Sequence, residues 1–192
     1  MTPLTQIDRD IFFFINQDIH TSFLDTILVP LRNQNFWIPV YVLLAAYFVW
    51  RFKKNCWIIF AFAGLTFLMT DQISSDFIKP WVHRVRPCHD PVMEAKVRTL
   101  VGCGSGFSFP SSHATNHFGL SLFLIMVLRK RIRWTTPVLI FWAAIISFAQ
   151  VYVGLHYPSD VFGGMLIGGL IGFTTGKICE RLLEKKMKPV SQ

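Results

Sequence analysis

"TPVLIFWAAIISFAQVYVGLHYPSDVFGGMLIGGLIGFTTGKICE", residues 136 to 180, holds two long apolar runs joined by a short polar junction. A bilayer core needs about 20 apolar residues per helix, or somewhat fewer when the ends snorkel. The runs 136–154 and 159–180 both meet that requirement, so "GLHYPSD" (154–160) is expected at a membrane face. Working outward, the segments 36–50, 56–79 and 112–128 qualify in the same way. Composition agrees: 52% hydrophobic and 15% aromatic, with 19 Phe, is too apolar for an ordinary soluble domain. The predicted fold is all-α, a polytopic transmembrane helical bundle of five to six spans, forming one integral-membrane domain over 1–192 with its core at 36–182. In residues 1–35, runs such as "IFFF" alternate with Asp8, Arg9, Asp10, Asp18, Asp25 and Arg32. That pattern predicts N-terminal helices that are interfacial or partly inserted, with a sixth span as the alternative. The N-terminus has no basic segment followed by an apolar run, so no signal peptide is expected.

The net charge of +8 is distributed by topology. "RFKK" (51–54), "RKRIR" (129–133) and "EKK" (184–186) with Lys188 all fall on one face of a five-span arrangement. The positive-inside rule makes that face cytoplasmic. These clusters predict orientation and contact with anionic lipid, not nucleic-acid binding. The loop 80–111 and the junction 154–158 then share the extracytoplasmic face. Cys88 and Cys103 lie in that loop, where disulfides persist, and a bridge between them would contribute roughly 3 kcal/mol. Cys56 and Cys179 read as buried thiols near cytoplasmic span ends. No zinc-type spacing occurs, so no metal or other cofactor is expected.

Three stretches carry chemistry. In "TDQISSDFIKPWVHRVRP" (70–87), Asp71, Gln72, Ser75, Asp76 and Lys79 fall on one helical stripe that must face protein or water. Asp71 and Gln72 read as an internal polar network. Lys79, Arg84 and Arg86 cluster at the outer end and suit an anionic group, which a guanidinium can grip with two parallel hydrogen bonds. In "FSFPSSHATNHFG" (107–119), Pro110 and Ser111 predict a helix start whose free N–H groups form an anion site. His113 points at the same spot, and His117 lies one turn deeper, as a residue that supports the site from behind or simply packs. In "GLHYPSD", four residues separate His156 from Asp160, so the carboxylate can fix the tautomer of the ring and leave its other nitrogen free. Two histidines among cations suggest phosphoryl transfer without metal, one attacking phosphorus and the other protonating the departing oxygen. Gly164, Gly168, Gly172 and Gly176 form a small-residue stripe for close helix packing.

"KPWVHRVRP" (79–87), "PSSH" (110–113) and "HYPSD" (156–160) resemble the three signature motifs of the type 2 phosphatidic acid phosphatase superfamily. The family pattern is Lys, six residues, Arg-Pro; then Pro-Ser-Gly-His; then Ser-Arg, five residues, His, three residues, Asp. The resemblance implies a helical membrane enzyme that removes phosphate from lipid phosphates or diphosphates at the extracytoplasmic leaflet. It also implies a phosphohistidine intermediate and no metal. By position, His156 becomes the nucleophile, Asp160 its orienting partner and His113 the general acid. Lys79, Arg86, Ser111 and backbone N–H groups near Ser112 would hold the phosphoryl oxygens.

Two positions depart from the pattern. Ser112 stands where the family has Gly, which matters little if this position contributes a backbone N–H. Ala149 and Gln150 stand where it has Ser-Arg, so Gln150 would meet the phosphate as a neutral donor. Loss of one preorganised donor commonly costs about 10² to 10³ in rate. Arg84 is the candidate to compensate. The expected function is an integral-membrane lipid phosphatase in a bacterial inner membrane, multi-pass, with its site on the periplasmic side. Undecaprenyl diphosphate or phosphatidylglycerol phosphate are the favoured substrates; phosphatidic acid and lipid A phosphate remain. Two alternatives are a phosphotransferase using a lipid diphosphate donor, and a weakly active lipid-phosphate-binding protein, the latter because of Gln150.

Overall fold

The computed structural model describes residues 3–187, and Lys188 of the last basic cluster lies outside the described residues. The described chain is helical throughout its regular structure: α1 (Pro3–Phe13), α2 (Ser22–Leu31), α3 (Ile38–Phe52), α4 (Cys56–Gln72), α5 (Lys79–Val82), α6 (Ser112–Leu128), α7 (Thr135–Tyr152) and α8 (Pro158–Met187). Among the described residues, three helical stretches are long and apolar enough to cross a membrane: Gln34–Val82, Thr135–Tyr152 and Pro158–Met187. The first has 49 residues, which at 1.5 Å each would reach about 74 Å, more than twice a bilayer's hydrocarbon core. It is broken at Lys53, whose φ is 48°, and Phe48 and Phe52 of α3 then pack with Ile58 and Ile59 of α4. The stretch therefore makes two passes. With the shorter apolar α6, the bundle has five spans: α3, α4, α6, α7 and α8.

At 11 and 10 residues, α1 and α2 are too short to cross. They lie over one end of the bundle instead. Leu28 of α2 packs with Ala149, Tyr152, Val153 and Leu155, and Phe12 of α1 packs with Val151 and Tyr157. Buried Asn16 ties this region down, donating to the carbonyls of Arg98 and Tyr152 at 2.8 Å each and accepting from the Arg98 N–H at 2.9 Å.

Helix α6 sits at the centre, against α4, α7 and α8. Its approach to α8 is closer than side chains allow. A Cβ on Gly168 would overlap the Thr115 carbonyl, and one on Gly172 would overlap that of Gly119. At Gly164 it would sit 2.7 Å from the Ser111 carbonyl. The glycine stripe therefore lets the N-terminal ends of α6 and α8 meet, and the Ser111 N–H donates to the Asp160 carbonyl at 3.0 Å. The polar stripe of the second span is only partly as expected. Asp71, Ser75 and Lys79 are half-buried, but Gln72 and Asp76 are exposed. Residues Ile73–Ile78 are π-helical, so α-helical spacing does not hold across them.

Gly168→Leu should separate α6 from α8 and cost about 2–3 kcal/mol. Gly169→Leu, whose added Cβ meets nothing within 4 Å, is the matched control and should have little effect. Thermal unfolding of the two variants in detergent measures the difference.

Candidate active site

At the end of the bundle covered by α1 and α2, three segments converge: α5 with residues 83–86, the start of α6, and the α7–α8 junction. The junction is shaped by Gly154, whose φ of 89° allows a turn so tight that a Cβ would sit 2.8 Å from the Arg98 carbonyl. The Gln150 carbonyl then accepts from the N–H groups of Leu155 and His156 at 3.1 and 3.3 Å, fixing His156 just before α8.

His156 is 2% exposed and Asp160 is fully buried. Nδ1 of His156 lies 3.6 Å from Asp160 Oδ2, and the Ser108 hydroxyl sits between them. Ser108 Oγ donates to Asp160 Oδ2 at 2.5 Å and lies 3.4 Å from His156 Nδ1. A hydroxyl that gives its proton to the carboxylate can only accept from the ring, so the neutral ring carries its hydrogen on Nδ1 and keeps a free lone pair on Nε2. Asp160 also accepts from the Tyr157 N–H at 2.9 Å and from Arg84 at 2.6 Å. Burial is the main influence on His156 and lowers its pKa. Asp160 opposes that effect, while the charges of Arg86 and Lys79 add to it.

The cations divide into two roles. Arg84 is engaged: it donates to Asp160 Oδ1, Asp8 Oδ2 and Ser159 Oγ, each at 2.6 Å, and lies 4.0 Å over the Tyr157 ring. Burial disfavours its charge, but Asp160 and Asp8 more than offset this and hold its pKa above the ordinary value. It is thus not free to replace the cation missing at position 150. Arg86 is buried, with Nε donating to the Gly106 carbonyl at 3.2 Å and an Nη to that of Ser105 at 3.4 Å. Lys79 is half-buried at the start of α5.

At the start of α6, Ser111 Oγ caps the helix by accepting from the Ala114 N–H at 3.4 Å. Ser112 does more than a glycine would: its hydroxyl lies 3.2 and 3.1 Å from those of Ser74 and Ser75, joining α6 to the π-helical turn of the second span. His113 follows in the first turn, and its ring stacks parallel to that of His117 at 6.2 Å. Gln150 is fully buried, and neither of its amide atoms has a hydrogen-bond partner among the described residues. A disulfide joins Cys88 to Cys103, closing the base of the loop that carries Arg86 at one end and Ser105 to Ser108 at the other.

Several residues here carried no sequence signal. Ser108 has none beyond its nearness to the helix start. Asp8 accepts from Arg84, from the Ser159 N–H at 2.9 Å and from the Ser159 hydroxyl at 2.5 Å. It is one of several acids in an amphipathic helix, and its partners lie far along the chain. Arg9 reaches Asp90 at 2.7 Å, which in turn accepts from the Tyr157 hydroxyl at 3.1 Å.

Residues 56–182 match the PAP2 superfamily. A lipid A 4'-phosphatase from Bacteroides thetaiotaomicron is 34% identical over 185 residues, 93% of this chain and 80% of the relative. A lipid A 4'-phosphatase from Porphyromonas gingivalis is 29% identical over 93% of this chain and 75% of its own. An undecaprenyl-diphosphatase from Bacillus subtilis, BcrC, is 28% identical over 80% of this chain and 74% of its own. Among solved structures, a PAP2-type phosphatidylglycerolphosphate phosphatase from Bacillus subtilis superposes with a TM-score of 0.69 at 22% identity, covering 100% of this chain and 90% of that one. Aquifex aeolicus LpxE gives 0.66 at 22% identity, covering 88% and 94%. At that identity both likenesses speak to the fold.

Asp8→Ala removes the acceptor shared by Arg84 and Ser159 and leaves Arg84 with one carboxylate. Loss of the hydrogen bonds to that carboxylate should lower stability by about 2 kcal/mol. Asp8→Asn, which keeps shape and part of the hydrogen bonding, should lose less. Denaturation midpoints in detergent distinguish the two.

Proposed function

The chain belongs to the PAP2 superfamily, and from that premise we propose that it is an integral-membrane lipid phosphatase working through a phosphohistidine on His156. The observation that carries this reading is the His156 ring, with Nδ1 turned toward Ser108 and Asp160 and Nε2 left free within the influence of Lys79 and Arg86. Nε2 attacks phosphorus, and the P–N bond forms as the P–O bond to the lipid breaks. His113 gives its proton to the departing oxygen. Asp160 stays a carboxylate and stabilises the positive ring through Nδ1. Water then attacks the phosphohistidine, His113 takes back a proton, and inorganic phosphate leaves. Lys79, Arg86 and the N–H groups at the start of α6 oppose the charge on the phosphoryl oxygens. Gln150, with both amide atoms unpartnered, donates to one of those oxygens.

The substrate we propose is a phosphate carried by a lipid A-type glycolipid, at the extracytoplasmic face of a bacterial inner membrane. The support is that two relatives aligned over 93% of this chain are lipid A 4'-phosphatases. Undecaprenyl diphosphate, favoured from the sequence alone, is the comparison substrate, because a relative that takes it also aligns along most of the chain.

Phosphate release in detergent with EDTA present tests the reading. The parent should release phosphate without an added acceptor, which separates it from a phosphotransferase; silence on every lipid would favour a binding protein. His156→Ala should lose about 10³-fold or more in kcat. Gln150→Ala should lose about 10²-fold, and Gln150→Arg should match or exceed the parent. If Gln150→Ala kept full activity, the amide would not lie on the phosphate.

The pH profile follows from the same geometry. His156 attacks when neutral, and its pKa is lowered, so it stays neutral further into acid than a free histidine. The acid limb of kcat/KM should therefore fall below the ordinary histidine pKa of about 6.5. A limb centred above that value would contradict a buried neutral nucleophile.

A further inference from the structure

Arg32 closes α2 and precedes the turn into α3. Leu28 of α2 shares one buried cluster with Ala149, and Leu31 packs against that cluster. The end of α2 therefore lies on the part of α7 where Ala149 and Gln150 replace the family's Ser-Arg. The turn itself is tied down: Trp37 Nε1 donates to the Leu31 carbonyl at 2.7 Å, and the Asn33 N–H to that of Pro30 at 2.9 Å. A row of rings leads from there to the site. Trp37 meets Trp142 edge-on at 5.6 Å, Trp142 meets His117 at 5.0 Å, and His117 stacks on His113. Gln34, from the same turn, lines a cavity of about 680 Å³ together with Ser112 and His113.

Arg32 is half-buried, and its Nε has no hydrogen-bond partner among the described residues. A cation at a helix end can serve the helix by donating to its last carbonyls. Arg32 Nε does not, and the Leu31 carbonyl is already taken by Trp37. Its charge acts instead on the site. It lies close enough to His113 to act on that ring, as do His156 and Lys79. Burial disfavours the Arg32 guanidinium, and the charge of Arg86 adds to the cost. Arg84 is the contrast, because two carboxylates more than offset its burial. Among the described residues no carboxylate does this for Arg32. A guanidinium held away from water, next to another and with a donor left over, is relieved by an anion between them.

We infer that Arg32 is a further phosphate-binding residue of this site, supplying from the N-terminal segment the guanidinium that position 150 lacks. The inference rests on the phosphatase reading above. There His113 protonates the leaving oxygen, so a guanidinium beside His113 meets the phosphoryl group on its leaving-group side. Nε–H and an Nη–H point the same way and can donate in parallel to the phosphoryl oxygens. Gln150 remains a neutral donor on the neighbouring helix. The third positive charge then comes from outside residues 56–182, the part of the chain that matches the family.

The test measures kcat/KM for phosphate release from a lipid A-type 4'-monophosphate, phosphatidic acid and undecaprenyl diphosphate, taking the lipid that the parent hydrolyses fastest. In the parent background Arg32→Ala should lose about 10²-fold. Arg32→Lys, which keeps the charge without the fork, should lose about tenfold. In the Gln150→Arg background, where position 150 carries a guanidinium, Arg32→Ala should lose about tenfold or less. Added guanidinium ion, at concentrations that leave the parent folded, should restore part of the activity of Arg32→Ala and none of that of His156→Ala. An arginine that only holds α2 in place would give equal losses in both backgrounds and no rescue. Either of those results, or a loss below about threefold in the parent background, would overturn the inference and leave the phosphatase reading intact. If Gln150→Arg does not fold, rescue in the parent background decides alone. Absence of phosphate release from all three lipids by the parent would overturn both.

Discussion

The buried carboxylate of Asp160 is the constraint around which this end of the bundle is arranged. An anion excluded from water is costly unless hydrogen bonds and countercharge replace its hydration. Here its partners are the Tyr157 N–H, the Ser108 hydroxyl, Arg84 and the His156 ring, drawn from the α7–α8 junction and both ends of the long loop. Satisfying the carboxylate with Arg84 introduces a second problem, because the guanidinium has donors left over. Asp8 of α1 and the Ser159 hydroxyl accept from them. The N-terminal helix is therefore tied electrically to the histidine although it makes no direct bond to it. That helix lies outside the part of the chain that matches the family, residues 56–182.

The other requirement is close approach. His156 and Asp160 flank the start of α8, and His113 sits in the first turn of α6. Ordinary side chains between these helices would hold the two starts apart. Glycines at 164, 168, 172 and 176 allow backbone to lie against backbone, so the Ser111 N–H reaches the Asp160 carbonyl. In lipid, where burial of apolar surface gives little drive to helix association, such packing is a main source of affinity between spans. The stripe that holds the bundle together is thus also what sets the spacing between its two histidines.

The sequence was most informative where one physical rule dominates. Long apolar runs and basic clusters set the spans, and spacing within a helical turn paired His156 with Asp160. It was less informative where a role depends on contacts distant along the chain. Arg84 is the clearest case, since its charge and position matched those of a phosphate-binding cation and only the folded chain shows it committed to Asp160 and Asp8. Ser108 was hidden for a similar reason: a serine in a loop has no periodicity to betray its neighbour. The five-residue polar stripe failed for a different cause. It assumed α-helical spacing, which the π-helical stretch Ile73–Ile78 does not keep, and Asp76 falls outside the packed face; Gln72, about 100° round the helix from Asp71, is exposed as well.

The charge inventory explains why a glutamine can stand at position 150. With Arg84 held by two carboxylates, the cations that remain around the two histidines are Lys79, Arg86 and Arg32, and the half-buried Arg32 has an Nε with no hydrogen-bond partner among the described residues. Burial already disfavours the charges of Arg32 and Arg86, and Arg86 adds repulsion at Arg32. A further guanidinium at position 150, which is fully buried, would add to that cost. A neutral amide there keeps hydrogen-bond donors without a further buried charge, and the positive charge around the histidines is carried instead by Arg32 at the end of α2, Lys79 of α5 and Arg86 of the loop that follows it.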